Sequence, residues 1–198
     1  VQAQTVIDGG ATVTVPGDHA SPWNAGTSLT VGDTGAGTLT IENGGTVSDT
    51  TGTIGNTETG NGTVTVDGAG STWTNISTVS VGKAGTGELT IRNGGTVSDS
   101  QGVIGESSGS TGTVTVDGTG STWTNSSNLI VGNYGAGELT IQNGGTVSSA
   151  LGAIGNGNAA TATGPGKVTV DGVGSTWTIS GTLYAGGSNT GTLIIQNG

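Results

Sequence analysis

Short apolar pieces recur along this chain at fixed phases, separated by Gly, Asn, Thr and Ser. The first kind is a Val or Ile followed by Gly, at residues 31, 54, 81, 104, 131 and 154, with Ala185-Gly186 as its last version. The second alternates apolar residues with Thr: Leu39/Ile41, Val64/Val66, Leu89/Ile91, Val114/Val116, Leu139/Ile141, Val168/Val170 and Leu193/Ile195. The third is Val47, Trp73, Val97, Trp123, Val147 and Trp177. Period-two alternation bounded by Gly and Asn predicts short strands. No stretch has helical spacing, and Gly at this density penalises helix.

The pieces return as a set every ~25 residues. A short half-unit of 23 residues (Val31 to Ile54) alternates with a long one of 27 (Ile54 to Val81). Two of them make the unit marked by Trp23, Trp73 and Trp123, which lie 50 residues apart, with Trp177 following after 54. Such a period dictates architecture before any local feature does. Three short strands per coil predict an all-β, parallel β-helix (a solenoid) of about eight coils. Each strand then pairs with its equivalents above and below, ~4.8 Å away. A β-sandwich has similar strand spacing, but identical phases over seven half-units fit stacking better. Residues 1–28 are expected to be an atypical N-terminal coil or cap. Residues 29–198 are expected to form the array, its last unit truncated.

The alternating positions define the expected core: Leu39, Ile41, Val64, Val66, Leu89, Ile91, Val114 and Val116, with Trp73, Trp123 and Trp177. We expect Trp to fill a wider cross-section in the longer coils and Val a narrower one in the shorter. Successive tryptophans would be ~9.6 Å apart, too far for a continuous ring stack. The rival reading makes them a surface row that binds sugars. The invariant Gly after Val/Ile predicts positive φ or close backbone approach. One corner reads Asn43, Gly68, Asn93, Gly118, Asn143, Gly172, Asn197, and this interchange predicts a left-handed turn.

Composition alone would mislead: 43 Gly, with no Cys, Met or Phe, would suggest disorder without the period. A formal charge of -10, from 13 acidic and 3 basic residues, argues against nucleic acid and against anionic membrane surfaces. Without Cys there is no disulfide and no thiolate metal site. No apolar run is long enough to cross a bilayer as a helix. The acidic, Thr/Ser/Asn-rich exterior suits an extracellular location.

Outward positions also form columns. Thr40, Thr65, Thr90, Thr115, Thr140 and Thr169 make one; Glu42, Asp67, Arg92, Asp117, Gln142, Asp171 and Gln196 make another. Arg92 is expected between two aspartates, and Glu138 opposite Lys167. The Thr38/Thr40, Thr63/Thr65 and Thr113/Thr115 pairs invite an ice-binding reading, but Glu88, Glu138 and Lys167 interrupt that face. Asp67, Asp117 and Asp171 form no cluster of the kind that polysaccharide lyases on this fold use with calcium and a basic residue. Two places break the repeat. Asp18, His19 and Ser21 superficially resemble a triad, but triads assemble from separate elements, so a capping turn is expected there. The insertion at Asn156 to Gly166 is expected to be a lengthened loop.

The string running from Val31-Gly32 through Leu39-Thr40-Ile41, Asn43-Gly44-Gly45-Thr46-Val47-Ser48 and Val64-Thr65-Val66-Asp67 to Ser71-Thr72-Trp73-Thr74-Asn75 resembles a repeat of large bacterial surface proteins. That repeat is associated with autotransporter (type V secretion) passengers and PEP-CTERM exported proteins. The resemblance covers about 29–198. It implies a secreted or surface-displayed right-handed parallel β-helix tied to adhesion or matrix formation. The expectation is therefore a non-enzymatic extracellular stalk or passenger, without catalytic residues, metal or cofactor. Its expected partners are host-cell or matrix glycans and proteins, or a second copy stacked end to end as a filament.

Overall fold

The computed structural model describes residues 3–155, 164–187 and 189–198. The expected lengthened loop lies largely outside them. The described chain is all-β. Its strands form three parallel sheets of 8, 8 and 7 strands, so the chain winds through about seven full turns. The first sheet runs from Gln4–Ile7 through Ser28–Val31 and Thr51–Ile54 to Leu183–Ala185. The second runs from Ala11–Val15 through Ala36–Ile41 and Asn61–Asp67 to Gly191–Gln196. The third begins at Trp23–Asn24, continues through Thr46–Asp49 and Thr72–Asn75, and reaches Thr176–Ile179.

Register follows the sequence phases. Val31 pairs with Ile54, Leu39 with Val64 and Val47 with Trp73. Residues 4–24 join the stack as its first coil, with Ile7 opposite Val31, Val13 opposite Leu39 and Trp23 opposite Val47. Leu39, Ile41, Val64, Val66, Leu89, Ile91, Val114 and Val116 are fully buried in one continuous core. That burial needs the stack, because one coil cannot cover its own apolar face.

The tryptophans obtain their room differently from the expectation. Trp73 and Trp123 are fully buried, but the extra residues of their longer coils lie in the corners between strands. Space comes from glycine on the first-sheet strand of the same coil. A Cβ at Gly52 would stand 2.5 Å from Trp73 Cζ2, and one at Gly102 2.7 Å from Trp123 Cζ2. Coils carrying Val at the third sheet have Leu29, Val79 or Leu129 where these glycines stand. Core volume is thus conserved within each turn, Trp plus Gly against Val plus Leu or Val, as interiors near close packing require. Trp177 packs on the core but is only half-buried, because it sits on the edge strand of the third sheet.

The left-handed corner is present throughout. Asn43, Asn93, Asn143 and Asn197 have φ of 52–58°, and Gly68, Gly118 and Gly172 have φ of 89–91°. Asn93→Gly is expected to be nearly neutral. Asn93→Val should cost about 1–2 kcal/mol, read as a shift in urea midpoint.

Candidate functional site

The third sheet holds the most unusual chemistry in the molecule. Its four-residue strands point their second and fourth side chains inward. The second positions hold the Val/Trp column. The fourth hold Asp49, Asn75, Asp99, Asn125 and Ser149, each no more than 6% exposed. Asp49 lies opposite Asn75 and Asp99 opposite Asn125. Alternation from Val47 to Asp49 places that aspartate inside, a signal present in the sequence but overlooked in favour of the apolar positions.

Trp73, Trp123 and Trp177 each donate to the coil below. Trp73 Nε1–H bonds Asp49 Oδ2 at 2.8 Å, and Trp123 Nε1–H bonds Asp99 Oδ2 at 2.6 Å. In the third copy Trp177 Nε1–H bonds Ser149 Oγ at 3.1 Å. Trp is therefore core and carboxylate donor at once, the arrangement a buried indole needs. The column remains poor in donors: Asp49 Oδ1, Asn75 Oδ1, Asp99 Oδ1 and Asn125 Oδ1 have no partner, and neither does Asn75 Nδ2. Burial disfavours the charged carboxylate and pushes Asp49 and Asp99 up to about 7, partly countered by the indole N–H. Protonation gives each carboxyl one donor of its own. The arrangement can store protons. Among the described residues, no group of three or more His, Cys, Asp or Glu comes together in a way that could hold a metal ion.

The superficial triad is dispersed into separate contacts. Asp18 Oδ2 accepts from Thr14 N at 2.8 Å. Ser21 Oγ accepts from Thr46 N at 2.9 Å. His19 stacks on Trp23 with ring centroids 3.9 Å apart. Of these, the Ser21 bond ties the first coil to the second, while the other two stay within the first. A further link is Asp8, whose carboxylate accepts from Thr34 N, Thr34 Oγ1 and Gly35 N, which together lower it to about 2.

On the second sheet the outward columns lie in the expected register, but Arg92 bonds only the aspartate below it. Its Nε and a terminal nitrogen reach Asp67 Oδ2 at 3.0 and 2.9 Å. Asp117 Oδ1 instead accepts from Asn143 Nδ2 at 2.7 Å. Lys167 Nζ meets Glu138 Oε1 at 2.7 Å. Both partners of that pair are exposed, so Glu138→Gln should change stability by less than about 1 kcal/mol, an effect that should vanish in high-salt melts.

The third sheet also presents a double row of hydroxyls that sequence reading passed over. Thr46/Ser48, Thr72/Thr74, Thr96/Ser98, Thr122/Thr124, Thr146/Ser148 and Thr176/Thr178 follow one another without a charge. A shallow groove on the second sheet crosses Thr111, Thr113, Glu138 and Lys167. No family model, curated protein or solved structure matches this chain.

Proposed function

We propose that this chain is a stiff, non-enzymatic β-solenoid shaft of a bacterial surface or exported protein, of the kind found in autotransporter passengers or PEP-CTERM-associated repeats. Its work is display: it carries a binding surface, or an attached segment, away from the cell. The observation that carries this reading is the unbroken stacking of equivalent strands along all three sheets, with one core cluster reaching from Ile7 to Val170. Eight stacked strands at ~4.8 Å make a rod about 35–40 Å long. Nearest-neighbour stacking makes such a rod stiff in proportion to its continuity. The net charge of -10 keeps rods apart in solution, and the hydroxyl rows offer an uncharged, hydrated side. Glycans or proteins of a host surface or matrix are the partners this exterior would meet.

Immunogold labelling of the source bacterium is the test. Label on the outer surface or in the extracellular matrix supports the reading. Label confined to the cytoplasm overturns it.

A further inference from the structure

Three corners carry the dipeptide Asn-Gly with a second Gly after it: Asn43-Gly44, Asn93-Gly94 and Asn143-Gly144. This pair is chemically labile. The Gly nitrogen can attack Asn Cγ, forming an N–C bond while the Cγ–Nδ2 bond breaks. Ammonia leaves, taking up the proton released by the Gly nitrogen, and a five-membered imide remains. Water then opens the imide to aspartate or to isoaspartate, whose backbone contains one extra methylene.

The fold restrains both reacting groups. In the second corner, Asn93 Nδ2 donates to Asp67 Oδ1 of the coil below at 2.7 Å. Gly94 N–H donates to Ser121 Oγ of the coil above at 3.1 Å. Ser121 is fully buried, and its hydroxyl is committed to Asp117 O at 2.6 Å. Gly95 N–H closes the turn onto Arg92 O at 3.0 Å. With positive φ at both Asn93 and Gly94, this is the two-residue left-handed turn that Asn-Gly favours. The third corner repeats the arrangement through Asp117 and Ser175. The first has Ser71 above, but its Asn43 side chain bonds only the adjacent Glu42.

We propose that Asn43, Asn93 and Asn143 are latent self-modification sites, held unreactive by the coil above, and for Asn93 and Asn143 by the coil below as well, and released when a coil opens. The nucleophilic nitrogen donates its proton to a serine of the coil above, fully buried for Ser71 and Ser121 and half-buried for Ser175, and the leaving amide is tethered to a carboxylate. Opening removes both restraints at once. Isoaspartate then cannot re-form the tight left-handed corner, so a transient opening becomes a permanent mark in the backbone. The position of the mark reports which coil opened.

Peptide mapping with ammonia release, at mildly alkaline pH, tests this in folded protein and in urea. Unfolded chain should convert all three sites at similar rates. In folded protein Asn93 and Asn143 should react more than about tenfold slower, the factor that 1.4 kcal/mol of opening free energy supplies. Asn43 should be the fastest of the three. Ser121→Ala should accelerate Asn93 alone, with Asn43 and Asn143 as internal controls. If that variant unfolds, all three sites accelerate together, and Asp67→Ala, which also frees only Asn93, takes its place. Equal rates in folded and unfolded wild-type protein would overturn the proposal. So would a folded Ser121→Ala or Asp67→Ala protein with an unchanged rate at Asn93.

Discussion

Trp123→Ala is expected to lower the unfolding free energy by about 3–5 kcal/mol, the cost of removing a large, fully buried ring that the surroundings cannot replace. Two effects add. The lost ring leaves a void beside Gly102, and Asp99 Oδ2 loses its indole donor. Volume compensation between the two sides of the coil makes a sharper test. Gly102→Leu alone should be destabilising, because its Cβ would collide with Asn125 Oδ1 and stand 2.7 Å from Trp123 Cζ2, and the second of these clashes is the one that Trp123→Val removes. Trp123→Val alone should also be destabilising, through the void. Combined, the two changes recreate the Leu/Val pairing of the neighbouring coil. The double variant should therefore lose less than the sum of the single losses, with a coupling of about 1–3 kcal/mol. Urea midpoints of the four proteins measure it, and strict additivity would show that ring and glycine do not share a space.

The second large effect is a dependence on pH. An unfolded aspartate titrates near 3.8, whereas Asp49 and Asp99 are raised to about 7 in the fold by burial. Between those values the native state holds protons that the unfolded state has already released, so stability falls as pH rises through the window. Below about 3.8 both aspartates are protonated in both states, and their contribution to stability is greatest. Above about 7 both are ionised and the penalty is constant, roughly 4 kcal/mol per site at 1.36 kcal/mol per unit. Asp49→Asn with Asp99→Asn should remove most of this slope, since a carboxamide oxygen still accepts from the indole. The double variant should match wild type at about pH 4 and exceed it at about pH 8. Urea melts at the two pH values decide it. Equal wild-type midpoints would mean that the carboxylates are ionised throughout at no cost.

The solenoid was legible because its apolar residues keep phase. Val31 and Ile54, or Leu39 and Val64, had to stack once the period was seen, and they do. The corner was legible for a backbone reason, since Asn and Gly interchange only where φ is positive. What coil length did not reveal was the source of the room for the ring. Of the four extra residues in the long coil, two lie between Ile54 and Val64, one between Val66 and Trp73 and one between Trp73 and Val81, all in the corners between strands. The space for the ring comes instead from Gly52 and Gly102, which resembled any other glycine in a glycine-rich chain. The polar column was missed because a charged residue in a TVSD string reads as surface, although parity with Val47 puts Asp49 inside. Arg92 shows a further limit: register placed it between two aspartates, but Asn143 holds the upper one.

Alternation of Trp and Val turns has a consequence for how such a protein can change length. Removing a single turn would bring two turns of the same kind together. Without the Trp73 turn, for example, Asp49 would face Asp99 directly, with no indole between them. Removing two turns restores every neighbour. Growth or shortening by recombination is thus confined to whole pairs, about 9.6 Å of rod at a time. The molecule behaves as a ruler graduated in double steps, and lengths that fall between its graduations carry a mismatched, less stable turn.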